Sequence, residues 1–242
     1  MAIPQRIIQT ISDERSLAPI FAENIRHTRD LHPDWQYELY DDAARRRFIA
    51  EHYSSEMLRL YDSINPTYGP ARADLFRYLA VYRLGGVYLD IKARVTKPLD
   101  TVLDPSDAFI LSHWKNGTGE PFEGWGAYRG LGLGNELQQW HIIAEPGHPF
   151  LEAVILMTAT CIRRHDPARP LSGKTGVVFL TGPAVYTSAI QAIRHKHPHR
   201  MVDINELGIH YSIFGDDQPF KHEEYFSNDY RTSSEPIVLP QW

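Results

Sequence analysis

The sequence predicts an α/β fold in which a single Rossmann-like mixed sheet is flanked by helices. Near the N-terminus, compact apolar runs alternate with a segment of helical period. In the middle, a strongly apolar helix passes through Gly85-Gly86 into a short strand. The chain has 242 residues, 43% hydrophobic and 23% charged, the balance of an ordinary globular protein, and it is expected to form one domain over residues 1–242.

Arg6-Ile7-Ile8-Gln9-Thr10-Ile11 is β-branched and compact and is followed by polar Ser12-Asp13-Glu14, so it reads as a largely buried first strand. Leu17, Ile20, Phe21, Ile25 and Leu31 recur at helical spacing, and Pro33 ends that helix. Gln36 to Tyr40 alternates polar and apolar residues and reads as the second strand. Asp41-Asp42 then offers an N-cap to a helix running through Arg45-Arg46-Arg47, which is expected to form one exposed face. Pro70 suits the first position of the next helix, and Ala71, Leu75, Tyr78, Leu79 and Tyr82 give it an apolar stripe. Gly85-Gly86 stops it, and Val87-Tyr88-Leu89 is a short buried strand ending at Asp90. Asp107 to Ser112 reads as a further strand. The loop Gly117 to Gly134, rich in glycine and aromatic residues, is expected to cover a site. Leu151–Ile162 and Ala184–Ile193 read as helices, with the apolar run Val177–Leu180 between them.

Composition sets limits on function. The net charge is −5 with no long basic run, which gives sequence-independent nucleic-acid binding no electrostatic footing. The single cysteine, Cys161, rules out an intrachain disulfide and fits a reducing compartment; on an apolar helix it reads as core. Met1 to Arg6 leads into the first strand without an apolar leader, and no run approaches ~18 apolar residues. A cytoplasmic protein without a membrane span is expected, with peripheral membrane contact still open.

The chemistry-bearing residues gather around Asp90. Asp90 and Lys92 lie two apart at a strand end, so on extended backbone they share a face. Asp74 and Arg77 lie three apart on the preceding helix and share a face as well. The tight glycine turn folds helix and strand antiparallel, which brings the helix start beside the strand end. A strand's carboxyl end is where open α/β sheets bind ligands.

The run Ala73-Asp74-Leu75-Phe76-Arg77-Tyr78 through Leu84-Gly85-Gly86-Val87-Tyr88-Leu89-Asp90-Ile91-Lys92 resembles the signature of the sugar-binding, DXD-containing glycosyltransferases. That group includes the family 32 enzymes, yeast α-mannosyltransferase-like and bacterial capsule-type, and more distantly the clostridial glucosylating toxins. Ile3–Thr10 and Pro33–Asp42 are similar to the family's opening strands. Asn135, Ala144–Phe150 and Thr181-Gly182-Pro183 match weaker blocks, so the resemblance covers roughly residues 3–190 with gaps.

The resemblance implies a GT-A fold and retaining transfer of a hexose from a UDP- or GDP-sugar to a hydroxyl acceptor such as a glycan. Asp74 and Arg77 would contact the donor's sugar hydroxyls. Asp90 would bind ribose, sugar or metal, Gln9 and Thr10 would sit near the nucleotide, and Asn135 would complete the donor-binding set. Asp90 and Lys92 are the candidate catalytic pair. Lys92 stands where the family usually has its second aspartate, the residue that commonly helps hold Mn²⁺ or Mg²⁺. Three outcomes stay open: a metal held by Asp90 with a C-terminal ligand, for which His210, Asp216 and His222 are candidates; Lys92 itself neutralising the diphosphate; or lost activity. The last would leave a non-catalytic sugar-nucleotide or glycan-binding module; a nucleotide-processing hydrolase is a further rival. Ile11 stands where relatives often carry an aromatic residue that would stack on the base. His195-Lys196-His197-Pro198-His199 reads as a solvated turn rather than a metal tract.

Overall fold

The first strand, β1 (Arg6–Thr10), sits between two parallel neighbours, β2 (Gln36–Tyr40) on one side and β3 (Gly86–Leu89) on the other. This computed structural model describes residues 3–13, 15, 17–127, 135–166, 171–215, 217–225 and 230–239. Beyond β3 the sheet continues through β6 (His141–Ala144), antiparallel to both β3 and β5 (Phe109–Leu111), and ends on β7 (Arg200–Met201), parallel to β5. The order is β2-β1-β3-β6-β5-β7, the mixed sheet expected. A second, two-stranded sheet pairs β4 (Arg94–Val95) with β8 (Ile209–His210).

Residue alternation assigns the two faces. Ile8 and Tyr88 point into a core built with Leu75, Phe76, Leu79 and Phe150, whereas Ile7, Val87 and Leu89 pack with Trp35, Trp140, Ile143 and Leu207 on the other side. The helices are α1 (Pro19–Leu31), α2 (Asp42–His52), α3 (Ser55–Ser63), α4 (Gly69–Leu84), α5 (Pro149–Arg163), α6 (Gly173–Leu180) and α7 (Pro183–Ile193). Asp41 caps α2 as expected, its side chain accepting from the Ala44 amide at 2.7 Å.

Helix α4 departs from a one-sided stripe. From Asp74 to Val81 every residue is buried, the polar pair Asp74 and Arg77 included. The turn after it requires both glycines. Gly85 (φ 66°) would bring a Cβ to 2.8 Å from the Pro146 nitrogen, and Gly86 (φ 104°) to 2.7 Å from the Arg6 carbonyl. This close approach folds β3 back along α4.

Two expectations need correction. Arg45 is not exposed: it is 2% accessible, and its guanidinium donates to Thr10 Oγ1 at 3.0 Å. Three consecutive helical residues span about 200° of arc, so Arg45-Arg46-Arg47 cannot share one face. The helical run Gly173–Lys196 is long and apolar enough to cross a membrane, although no such segment was expected; it breaks at Thr181-Gly182, and 61% of its most apolar stretch is buried within the fold, as core helices are.

Candidate active site

The parallel strands β1 and β3 end at the same edge of the sheet, and the polar cluster sits there. Asp90 follows β3 directly, its amide donating to the Trp140 carbonyl at 2.8 Å. Its carboxylate is held by three donors. The Tyr88 hydroxyl donates to Oδ1 at 3.0 Å, Arg77 Nη2 lies 3.3 Å from Oδ1, and Lys92 Nζ lies 2.5 Å from Oδ2. Arg77 also reaches Asp74 Oδ1 at 3.1 Å, so one guanidinium joins the helix start to the strand end, the juxtaposition the glycine turn predicts. It donates to the Gln139 carbonyl at 2.8 Å and stands 4.8 Å over the Tyr88 ring.

Asp74 lies beneath this layer, its side chain 3% exposed. Gln139 Nε2 donates to Oδ1 at 3.2 Å and the Thr181 hydroxyl to Oδ2 at 3.0 Å. The Asp90 side chain is 20% exposed, which makes it the carboxylate of the pair that meets solvent. Burial pushes the Asp74 carboxyl up to about 6, against Arg77 and its two hydrogen bonds. For Asp90 burial pushes the same way, but Arg77, Lys92 and the Tyr88 hydroxyl together hold it below the ordinary aspartate range.

Gln9 belongs to the cluster. Its amide nitrogen donates to the Asp90 carbonyl at 3.3 Å, while its oxygen accepts from the Tyr37 hydroxyl at 2.7 Å. Thr10 faces the other way and is engaged with Arg45 and the Tyr40 carbonyl. Asn135 is exposed in a lone bridge to Ala127; the residue of that stretch that reaches Asp74 and Arg77 is Gln139. Gln139 carried no sequence signal beyond its polar neighbourhood, whereas Thr181 lay in one of the weak matching blocks.

Lys92 is 8% accessible and stands 4.5 Å over the Tyr211 ring. Tyr211 in turn contacts Trp114, Trp140, Phe122 and Trp125 at centroid distances of 5.1 to 6.0 Å. Phe122 and Trp125 come from the loop expected to cover a site, and residues 117–127 do bring an aromatic wall beside Lys92; residues 128–134 lie outside the described residues, as does Asp216. Such a wall lowers the local dielectric and strengthens charge–charge interactions within it. His222 packs edge-on to Tyr211 at 5.6 Å, and burial together with Lys92 brings its imidazole down to about 3. His141, buried on β6 with Nε2 2.8 Å from Ser112 Oγ, is likewise brought down to about 3, by burial.

Residues 20–109 match the family described as the glycosyltransferase sugar-binding region containing the DXD motif. The chain is 31% identical over 153 residues to inositol phosphoceramide mannosyltransferase 3 of Schizosaccharomyces pombe, covering 63% of this chain and 36% of that protein. It is 25% identical over 204 residues to the initiation-specific alpha-1,6-mannosyltransferase of Candida albicans, covering 77% of this chain and 52% of that one. The chain thus spans about a third of the first of these relatives and about half of the second. A solved PaToxG glycosyltransferase superposes with TM-score 0.55 and 15% identity, over 80% of this chain and 71% of that one, and the fold is GT-A as expected.

In the DXD family the second aspartate commonly helps hold a divalent cation. The described residues do not fit one. Mg²⁺ and Mn²⁺ take oxygen ligands, and an ammonium is not a ligand. Both oxygens of Asp90 are already engaged, by Tyr88 and Arg77 on one side and Lys92 on the other. His210 sits in the small sheet, 3.3 Å from Thr96 Oγ1, and His222 lies against Tyr211. Among the described residues no three His, Cys, Asp or Glu side chains converge as a metal site, so neither histidine completes the set assigned to it with Asp90.

Proposed function

We propose that this protein is a retaining glycosyltransferase that moves a hexose from a nucleotide diphosphate sugar to a hydroxyl acceptor. The observation that carries the reading is the Asp90 carboxylate, partly exposed at the end of β3 and held between Arg77 and Lys92, within the DXD sugar-binding region. Both relatives above are named for mannose transfer, which makes mannose the first sugar to test in UDP- and GDP-linked form. Their names point to different acceptors, an inositol phosphoceramide in one case, so a glycan or a polar lipid headgroup would suit this chain.

In the transfer, the bond from the anomeric carbon to the diphosphate oxygen breaks and a bond to the acceptor oxygen forms on the same face. The acceptor's proton passes to the departing diphosphate. The ionised Asp90 carboxylate accepts hydrogen bonds from the donor and fixes it. Arg77 holds Asp90 in place from below, and the aromatic wall excludes water. Asp74, buried under Arg77, orients that guanidinium.

The decisive experiment offers GDP-mannose and a panel of UDP- and GDP-hexoses, with donor cleavage and acceptor labelling followed together. Slow cleavage is expected with at least one donor, and Asp90→Asn should reduce it by about 10²–10³-fold, the scale for removing one preorganised electrostatic contact, with the circular dichroism unchanged. Binding without cleavage for every donor would instead identify a sugar-nucleotide-binding module. Cleavage with no glycosylated product from any acceptor would identify a hydrolase.

A further inference from the structure

We infer that Lys92 is the built-in counter-cation for the donor's diphosphate, so that this site binds its nucleotide sugar without a divalent metal ion. The inference rests on the glycosyltransferase reading and adds to it how the leaving group is held.

Four observations carry it. The ammonium occupies the place of the second aspartate and sits 2.5 Å from Asp90 Oδ2. The other oxygen meets Tyr88 and Arg77, so each oxygen of Asp90 already faces a cationic side chain. The cluster is already balanced: Asp74 and Asp90 carry two negative charges, Arg77 and Lys92 two positive ones. A dication added at Asp90 would have to displace the ammonium or be repelled by it at contact distance.

Lys92 is also held as a binding group must be. Its carbonyl accepts from the Ile213 amide at 2.8 Å, and its Nζ rests over the Tyr211 ring at 4.5 Å. An ammonium has three N–H donors; Asp90 takes one, and the others remain to meet diphosphate oxygens arriving beside the partly buried Tyr211. A charge fixed before the donor arrives does not need to reorganise as negative charge grows on the leaving group. The diphosphate therefore meets a preorganised cation supplied by the chain.

The test measures GDP and UDP binding by titration calorimetry, once in EDTA and once in excess Mn²⁺, with Mn²⁺ binding to the protein followed in parallel by electron paramagnetic resonance. At least one nucleotide should bind the native protein with affinities in the two buffers that agree within about twofold, and Lys92→Met should weaken that binding about tenfold or more in both. Lys92→Asp, which creates an Asp-x-Asp pair, should gain a bound-Mn²⁺ signal and a nucleotide affinity that collapses in EDTA. Lys92→Asn serves as a second variant if the aspartate destabilises the fold, and Mn²⁺ should then raise its melting temperature. Native binding that falls about tenfold in EDTA and returns with Mn²⁺ would overturn the inference and leave the transferase reading standing. Unchanged binding by Lys92→Met would overturn it too. If neither nucleotide binds in either buffer, the donor reading itself fails.

Discussion

Arg45 and Arg77 are both almost wholly excluded from water, at 2% and 4% accessibility, yet their surroundings differ in kind. Arg45, on α2, donates to the neutral Thr10 hydroxyl and pairs with Asp42, whose side chain is 47% exposed. Burial holds its guanidinium below the usual arginine range. Arg77, on α4, faces Asp74 and Asp90 together and stacks on Tyr88; although burial opposes it, these partners hold its guanidinium above that range. The first arginine ties β1 to α2 with a counter-ion that water already stabilises. The second holds a carboxylate at the solvent edge of a binding site and neutralises another that water hardly reaches. What separates them is not burial, which is nearly equal, but what would be left behind if each were removed.

That difference is largest for Arg77→Met. Removing the guanidinium strands two carboxylates, one of them buried, and the expected loss is about 3–5 kcal/mol in urea unfolding at pH 8, with donor binding abolished. Asp74 already has its carboxyl raised to about 6, so at pH 5 it can escape by protonation and the loss should shrink. A loss below about 1 kcal/mol at both pH values would mean that the carboxylates reach water, and the contrast with Arg45 would disappear.

How far this site could be read from sequence follows from how local each part is. Asp74, Arg77, Asp90 and Lys92 lie within one helix–turn–strand unit, and two spacing rules with one glycine pair bring them together. Gln139 and Thr181 complete the same cluster from 62 and 107 positions beyond Arg77 and Asp74, where no local rule applies. The strand β6 carried no alternation because it is buried on both faces between β3 and β5, and a run of four residues, three of them apolar, does not distinguish a strand from a turn of helix. Helix α3 was legible in principle, from Ser54 capping Met57 and the spacing of Met57, Leu60 and Tyr61, but it went unassigned. Arg45 was misread because charge alone was taken for exposure, without the arc that a helix imposes on consecutive residues.

Acid should act through the site region rather than through α2. His141 and His222 both flank the Asp90 cluster with folded pKa values near 3, against about 6.5 in the unfolded chain, so the unfolded state takes up their protons first. Stability is therefore complete above about pH 6.5 and is lost as pH falls through the window down to about 3, by roughly 2 kcal/mol per ring at pH 5. Asp74 opposes this. Its folded carboxyl at about 6 takes a proton before the unfolded one near 3.8, which returns about 1 kcal/mol by pH 5. The net expectation is a loss of about 3 kcal/mol between pH 7 and pH 5, read from urea midpoints. A drop below about 1 kcal/mol would show that the two rings find stabilising partners once charged.

The smallest effect belongs to Arg45→Met, and it tests the other half of the comparison. Methionine fills most of the same space, Asp42 is left at the surface, and Thr10 keeps its hydrogen bond to the Tyr40 carbonyl at 2.8 Å. Replacing a buried charge whose counter-ion stays in water by a well-packed apolar side chain leaves no stranded partner, so the change should lie within about 1 kcal/mol of zero, in either direction. Donor cleavage should stay within about twofold of the native protein, because Gln9, the neighbour of Thr10 on β1, holds the Asp90 carbonyl from the opposite face of the strand. A loss of several kcal/mol would mean that Arg45 supports β1 as strongly as Arg77 supports β3. A loss of cleavage with the fold intact would place Thr10 beside the nucleotide after all, with Arg45 as the residue that positions its hydroxyl.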